Sequence, residues 1–142
     1  MIRTDSKYDA RFSGKLAVFC SDERFLGAVF EYLEKRLGIK RCDMMVVPGG
    51  PAFIVNGEKN LLDRMKLLVK NHSISEILLF SHFSCAYYEN RYGNSESKKL
   101  FKRQLNDIKK CRRLLNKCFP GSAVRAFYID INGDSIVFKA VK

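Results

Sequence analysis

The chain has 142 residues, 46% of them hydrophobic and 29% charged, a size and balance that suit one domain spanning 1–142 with its own core and no need of disulfide staples. No apolar run approaches the roughly 20 residues needed to cross a bilayer, and the first ten residues show no apolar stretch behind a basic tip, so the expected protein is cytoplasmic and has no membrane partner. The formal charge of +11, from 26 Lys and Arg against 15 Asp and Glu, suits an anionic partner, although charge alone speaks to solubility before function.

In chain order, residues 15–20 (Lys-Leu-Ala-Val-Phe-Cys) form a short run of the kind expected for a buried strand. Residues 24–37 follow with Phe25, Ala28, Val29, Tyr32, Leu33 and Leu37 at helical spacing, and Gly38 is a natural stop. The pattern repeats with a strand over 43–47 and a turn at Pro48-Gly-Gly-Pro51, after which Asn60 could cap a helix along Leu61, Leu62, Met65, Leu68 and Val69. His72 falls near that helix end and is expected at the surface. Residues 76–80 (Glu-Ile-Leu-Leu-Phe) read as the third strand. Residues 86–97, polar and rich in tyrosine, read as a loop over a site.

From Lys98 to Lys117, Leu100, Phe101, Leu105, Ile108 and Leu115, with Phe119 just beyond, recur near a 3.6 period, which predicts a helix with one apolar stripe and a basic back. Residues 123–129 and 135–141 then flank Asn132-Gly133, the strongest short hairpin signal. Strands alternating with helices predict an α/β fold: a mostly parallel sheet of about five strands in the order 2-1-3-4-5, the last antiparallel, with helices on both faces.

Chemistry-bearing residues sit at two strand ends. Cys20-Ser-Asp22-Glu-Arg24 follows the first strand and His82-Phe-Ser-Cys85 the third. In this strand order the two ends are neighbours, and the crevice outside them is the topological switch point where α/β sheets build sites. Five cysteines are an odd number for a disulfide framework, so reduced thiols or metal ligands are the natural reading. Two thiolates and an imidazole suit zinc, and three ligands leave the fourth tetrahedral position open, as catalytic sites do.

These two motifs resemble those of the β-class carbonic anhydrases, which carry Cys-x-Asp-x-Arg after the first strand and His-x-x-Cys after the third. The similarity runs over roughly residues 15–141 and includes the approach to His82 from Ile74 and the hairpin at Asn132-Gly133. The resemblance implies zinc held by Cys20, His82 and Cys85. It also implies that Asp22, ion-paired with Arg24, stands beside the open position, either accepting a hydrogen bond there or moving in as a fourth ligand. The implied activity is reversible hydration of carbon dioxide to bicarbonate in a homodimer, since zinc lowers the pKa of bound water toward about 7. Hydrolysis of carbonyl sulfide or carbon disulfide is the close alternative on the same scaffold. A noncatalytic zinc-stabilised module whose basic helix binds nucleic acid or another polyanion is the alternative of a different class.

The chain departs from the family pattern at Pro48-Gly49-Gly50-Pro51-Ala52-Phe53, where an Arg-Asn-Ala-like stretch is usual, and at Ala86, where Gly is usual. Phe53 and Phe83 are the candidate lining of an apolar pocket.

Overall fold

A computed structural model describes residues 1–93 and 96–142. Its strands β1 (Lys15–Phe19) and β3 (Glu76–His82) are buried along almost their whole length, and a strand covered on both faces has no polar side to alternate with. They pair in parallel at the centre of the sheet. β2 (Asp43–Val46) lies outside β1 and β4 (Ala123–Asn132) outside β3, both parallel, and β5 (Ser135–Ala140) closes the sheet antiparallel. The order is β2-β1-β3-β4-β5, as the sequence predicts. Gly133, at φ +60°, makes the last hairpin turn with Asn132 opposite Ser135.

Side chains that alternate along β1, β3 and β4 divide the core into two layers, because successive strand residues point to opposite faces. On one side, Ala17, Phe19, Leu78, Phe80, Phe127 and Ile129 pack against Phe25, Val29 and Leu33 of α1 (Glu23–Lys35). On the other, Leu16, Val18, Ile77, Leu79, Ala126 and Tyr128 are covered by three helices: α2 (Ala52–Val55), α3 (Lys59–Asn71) and, after α4 (Ala86–Tyr92), α5 (Ser97–Cys118). Among the described residues no helix is long and apolar enough to cross a membrane.

The structure differs from the sequence reading in local places. Residues 86–97 are not a loop throughout, for most of them form α4, started by Cys85 at the cap position and held down by the buried ring of Tyr88; Asn94 and Ser95, part of the same expected loop, lie outside the described residues. Asn60 is not the cap of α3. Gly57, at φ +65°, turns the chain so that Glu58 takes the extended cap conformation, and Asn60 falls inside the first turn. His72 is half-buried: its Nδ1 lies 2.5 Å from Asp43 Oδ2, and its ring stacks on Phe12 at 3.8 Å. Phe53 belongs to the core at 2% exposure, because α2 turns it onto the sheet.

One ion cluster spans the three central strands. Glu76 on β3 takes Lys15 of β1 at 2.7 Å and Arg125 of β4 at 3.2 Å. Burial pushes the Glu76 carboxyl up, but the two cations more than offset it and hold the group below its usual range. A carboxylate whose folded pKa is depressed adds stability above its unfolded pKa and loses it as the pH falls through the folded value. Glu76→Gln is therefore expected to lower urea stability by about 1 kcal/mol or less at neutral pH, with the difference from the parent shrinking as the pH falls below the unfolded glutamate value of about 4.3. A difference that stays constant across that range would show that shape, not charge, matters at Glu76.

Candidate metal centre

β1 and β3 are adjacent and parallel, with Val18 opposite Leu79, so the residues after their carboxyl ends emerge side by side. Cys20 follows β1 directly, His82 is the last residue of β3, and Cys85 comes three residues later after Ser84 takes a left-handed φ of +53°. That turn folds the Cys85 sulfur back toward Cys20, 65 residues away in the chain, and the two sulfurs are 4.0 Å apart. One ligand atom from each of Cys20, His82 and Cys85 lies within 4.8 Å of the others, and this is the one such three-residue group of His, Cys, Asp or Glu among the described residues.

The histidine is held in one orientation. Its Nδ1 lies 2.8 Å from the carbonyl oxygen of Phe83, which can only accept, so Nδ1 carries the proton and Nε2 presents its lone pair. Nε2 is buried and has no hydrogen-bond partner; its ring is 3% exposed and packs on Phe25 at 4.6 Å. An unpaired buried acceptor costs about 1–3 kcal/mol, and here it faces two sulfurs. A borderline-soft cation would satisfy all three groups, and the backbone-anchored imidazole is the arrangement metal-binding histidines commonly show. The donor set fits zinc.

The two thiols are driven apart in acidity by their closeness. The Cys20 thiol is pulled down to about 4, chiefly by the Cys85 thiol beside it, with His82 and the backbone N–H groups of Asp22 and Gly49 adding to the effect against burial. Cys85 moves the opposite way, pushed up by the Cys20 sulfur and by burial.

Asp22 and Arg24 lie at the rim. The Asp22 carboxylate caps α1 by accepting from Arg24 N at 3.0 Å. The Arg24 guanidinium grips the same carboxylate through Nη2 at 2.6 Å and Nε at 3.0 Å, and Nη2 also donates to Ser84 O at 2.9 Å. This fork holds the Asp22 carboxyl below the usual carboxylate range and ties the β1 motif to the β3 motif. Asp22 Oδ2 stands 3.9 Å from His82 Nε2, outside the three-residue group but next to it. All five residues singled out in the sequence meet.

The sequence reading missed the support behind them. Gly50, at φ +54°, is pressed so closely on the sheet that a Cβ there would come within 2.9 Å of Cys20 N and 3.1 Å of Phe80 O. The Tyr87 ring covers Gly49, whose added Cβ would lie 2.6 Å from it, and the Tyr87 hydroxyl accepts from Asn56 Nδ2 at 2.8 Å. The Pro48-Gly-Gly-Pro51 turn was visible, but only the fold shows that both glycines back the site. Gln104, 2% exposed on α5, donates to His82 O at 2.9 Å, and Tyr88 OH donates to the buried Asp107 at 3.0 Å. Beside Cys85, a cavity of about 500 Å³ is lined by Phe83, Phe101, Gln104 and Tyr128 among others.

A family model described as a putative carbonic anhydrase matches residues 10–139. Among solved structures, the β-carbonic anhydrase isoform I of the protozoan Trichomonas vaginalis aligns with a TM-score of 0.57 at 14% identity, over 94% of this chain and 86% of that one. A tetrameric β-carbonic anhydrase of the filamentous ascomycete Sordaria macrospora gives 0.59 at 15%, over 90% and 81%, and the carbonic anhydrase of Streptococcus mutans gives 0.54 at 15%, over 93% and 83%. At these identities the likeness is one of fold. No curated protein matches at a comparable level of significance.

The glycine turn makes a testable claim about the site's backing. Gly57→Ala, at positive φ with open space around it, should lose about 1 kcal/mol from backbone strain alone. Gly50→Ala should lose clearly more, because the new methyl also meets the ends of β1 and β3. Urea unfolding of the two variants decides the point, and equal losses would remove the close-approach role of Gly50.

Proposed function

The chain belongs to the family described as putative carbonic anhydrases, and from that premise we propose that Cys20, His82 and Cys85 hold one zinc ion and that the protein interconverts carbon dioxide and bicarbonate. The observation that carries this reading is the buried, unpartnered Nε2 of His82, fixed in its tautomer and facing two thiols. When bound, zinc would supply a water of pKa near about 7 as a nucleophile at neutral pH.

The remaining steps belong to this chain's own residues. Asp22 is kept ionised by Arg24, so it can only accept a hydrogen bond, and it favours a group with an O–H at the open position over one without. Arg24 holds that carboxylate at the rim and away from the three ligands, and its bond to Ser84 O fixes the distance between the two motifs. Phe25, packed on the His82 ring, keeps bulk water from the imidazole and so keeps its orientation.

The same reading supplies a second copy of the chain as partner. β2 is a four-residue edge strand with Met44 and Val46 more than a third exposed, and among the described residues no strand pairs with its outer edge; the unpaired backbone groups of such an edge and its apolar side chains are open to a second copy. A related protein from Sordaria macrospora is described as tetrameric. A homodimer in the cytoplasm, with its thiols reduced, fits these features. Light scattering at micromolar concentration should return twice the chain mass, and a clean monomer would count against the pairing.

Purified protein should contain about one zinc per chain with two sulfur neighbours and one nitrogen by X-ray absorption, and Cys85→Ser should lose it. Arg24→Ala should retain zinc yet lose hydration activity, because the freed Asp22 carboxylate can reach the fourth position. Asp22→Ala should retain zinc and lose activity by about 10- to 100-fold, as other residues that orient a metal's ligands do. Stopped-flow carbon dioxide hydration with parallel metal analysis checks all three variants. Zinc-loaded wild type that hydrates no carbon dioxide but hydrolyses carbonyl sulfide or carbon disulfide would reassign the substrate, and full activity in zinc-loaded Arg24→Ala would end the positioning role of that residue.

A further inference from the structure

Charge is divided unevenly between the two faces of the sheet. α5 carries nine Lys and Arg against one acid, and α3 carries four against one, while α1 on the opposite face has two against three. The helices on one face thus hold an excess as large as the chain's formal +11. The one acid of α5, Asp107, is buried and bonded to Tyr88 OH, so it neutralises nothing on the surface.

Within α5 the cations are aligned. Lys99, Arg103, Lys110, Arg113 and Lys117 are all exposed and fall at steps of three, four or seven residues, with Asn106 as the one interruption, so they form a single ridge along the outer side of the helix. At 1.5 Å per residue the ridge runs about 27 Å, and Lys102 flanks it. Among the described residues Lys99, Lys102, Lys110, Arg113 and Lys117 enter no ion pair, and Arg103 lies over the Tyr92 ring at 4.1 Å. The same chain builds acid–base pairs at i,i+4 elsewhere: Glu31–Lys35 on α1 and Lys59–Asp63 on α3. Like charges at that spacing destabilise a helix by a few tenths of a kcal/mol per pair, so the ridge works against the helix that bears it. General solubility needs no such alignment; a linear polyanion does.

We propose that the outer face of α5 is a docking surface for the phosphodiester backbone of nucleic acid, bound without base specificity. A duplex carries one phosphate per about 3.4 Å of axis on each strand, so a ridge of about 27 Å spans on the order of eight phosphates of one strand, enough for its cations to meet about four. A lipid surface is the poorer match. The apolar side of α5 is used up on the sheet, where Ile108, Cys111 and Leu115 are buried, and lasting membrane attachment needs an inserted apolar group beside the basic patch. The inference is independent of the metal reading, since no residue of the ridge touches Cys20, His82 or Cys85.

The test is fluorescence anisotropy of the full chain with labelled 20-base-pair DNA, the same duplex in RNA, and one single strand, across a salt series. Backbone recognition by about four cations predicts binding to each that weakens by about 100-fold between 50 and 200 mM salt. Lys110→Glu with Lys117→Glu should flatten the slope of log affinity against log salt by about two and weaken binding at least 10-fold. Lys35→Glu with Lys40→Glu, an equal change of net charge away from α5, should change affinity less than 3-fold. Equal weakening by both pairs, no binding at 50 mM salt, or capture by phosphatidylserine vesicles without nucleic-acid binding would each overturn the proposal. Zinc content of both double variants should match wild type, so failure here leaves the metal centre standing, and failure there leaves this surface standing.

Discussion

The parallel pairing of β1 with β3 is the constraint on which the rest of the molecule depends. The two strands are far apart in sequence, and each ends in one half of the proposed ligand set. Parallel neighbours bring equivalent ends together without any loop having to reach, so Cys20 meets His82 and Cys85 as a consequence of the register. An antiparallel arrangement would have put the two motifs at opposite edges of the sheet. The burial of both strands on both faces makes that register expensive to shift, because a slip of one residue would turn every core side chain to the wrong layer.

Around this meeting point, the chain holds the site through backbone and charge more than through bulk. Phe83 O fixes the His82 tautomer, Ser84 at positive φ returns Cys85 to the centre, and the Arg24 guanidinium joins Asp22 to Ser84 O across the two motifs. Behind the thiols, Gly49 lies under the Tyr87 ring and Gly50 presses against the backbone of both strands. Polar groups on α5 complete the support, with Gln104 bonded to the carbonyl of His82 itself. The long helix therefore has two distinct sides: a buried one that braces the proposed ligand histidine, and an outer one that gathers cations.

That division follows from how a helix packs on a sheet. A helix packed on a sheet needs an apolar and correctly paired inner side, and this leaves its outer side free of packing constraints. On α1 and α3 the free side carries an i,i+4 pair of opposite charges, Glu31–Lys35 and Lys59–Asp63. On α5 it carries one sign only, and the field of that face extends over a Debye length of about 8 Å at physiological salt, far enough to act on an approaching polyanion.

The amino-acid sequence determined the elements that rest on local chemistry: the buried apolar runs of β1 and β3, the periodic helices α1 and α5, the Asn132-Gly133 hairpin and the two strand-end motifs, because period, turn chemistry and ligand type are properties of neighbouring residues. Strand order was also legible, since alternating strands and helices admit few topologies. Tertiary structure decided what depends on residues far apart in the chain. Residues 86–92 become α4 because Tyr88 finds a buried place and Tyr87 covers Gly49; His72 is half-covered because Asp43 and Phe12 come to it; Phe53 joins the core instead of lining a pocket. Gln104 looked like one more polar residue on a basic helix, and only the packing of α5 against β3 gave its amide a carbonyl to serve. No spacing rule could have shown these, because each contact exists only once the sheet has brought its two halves together.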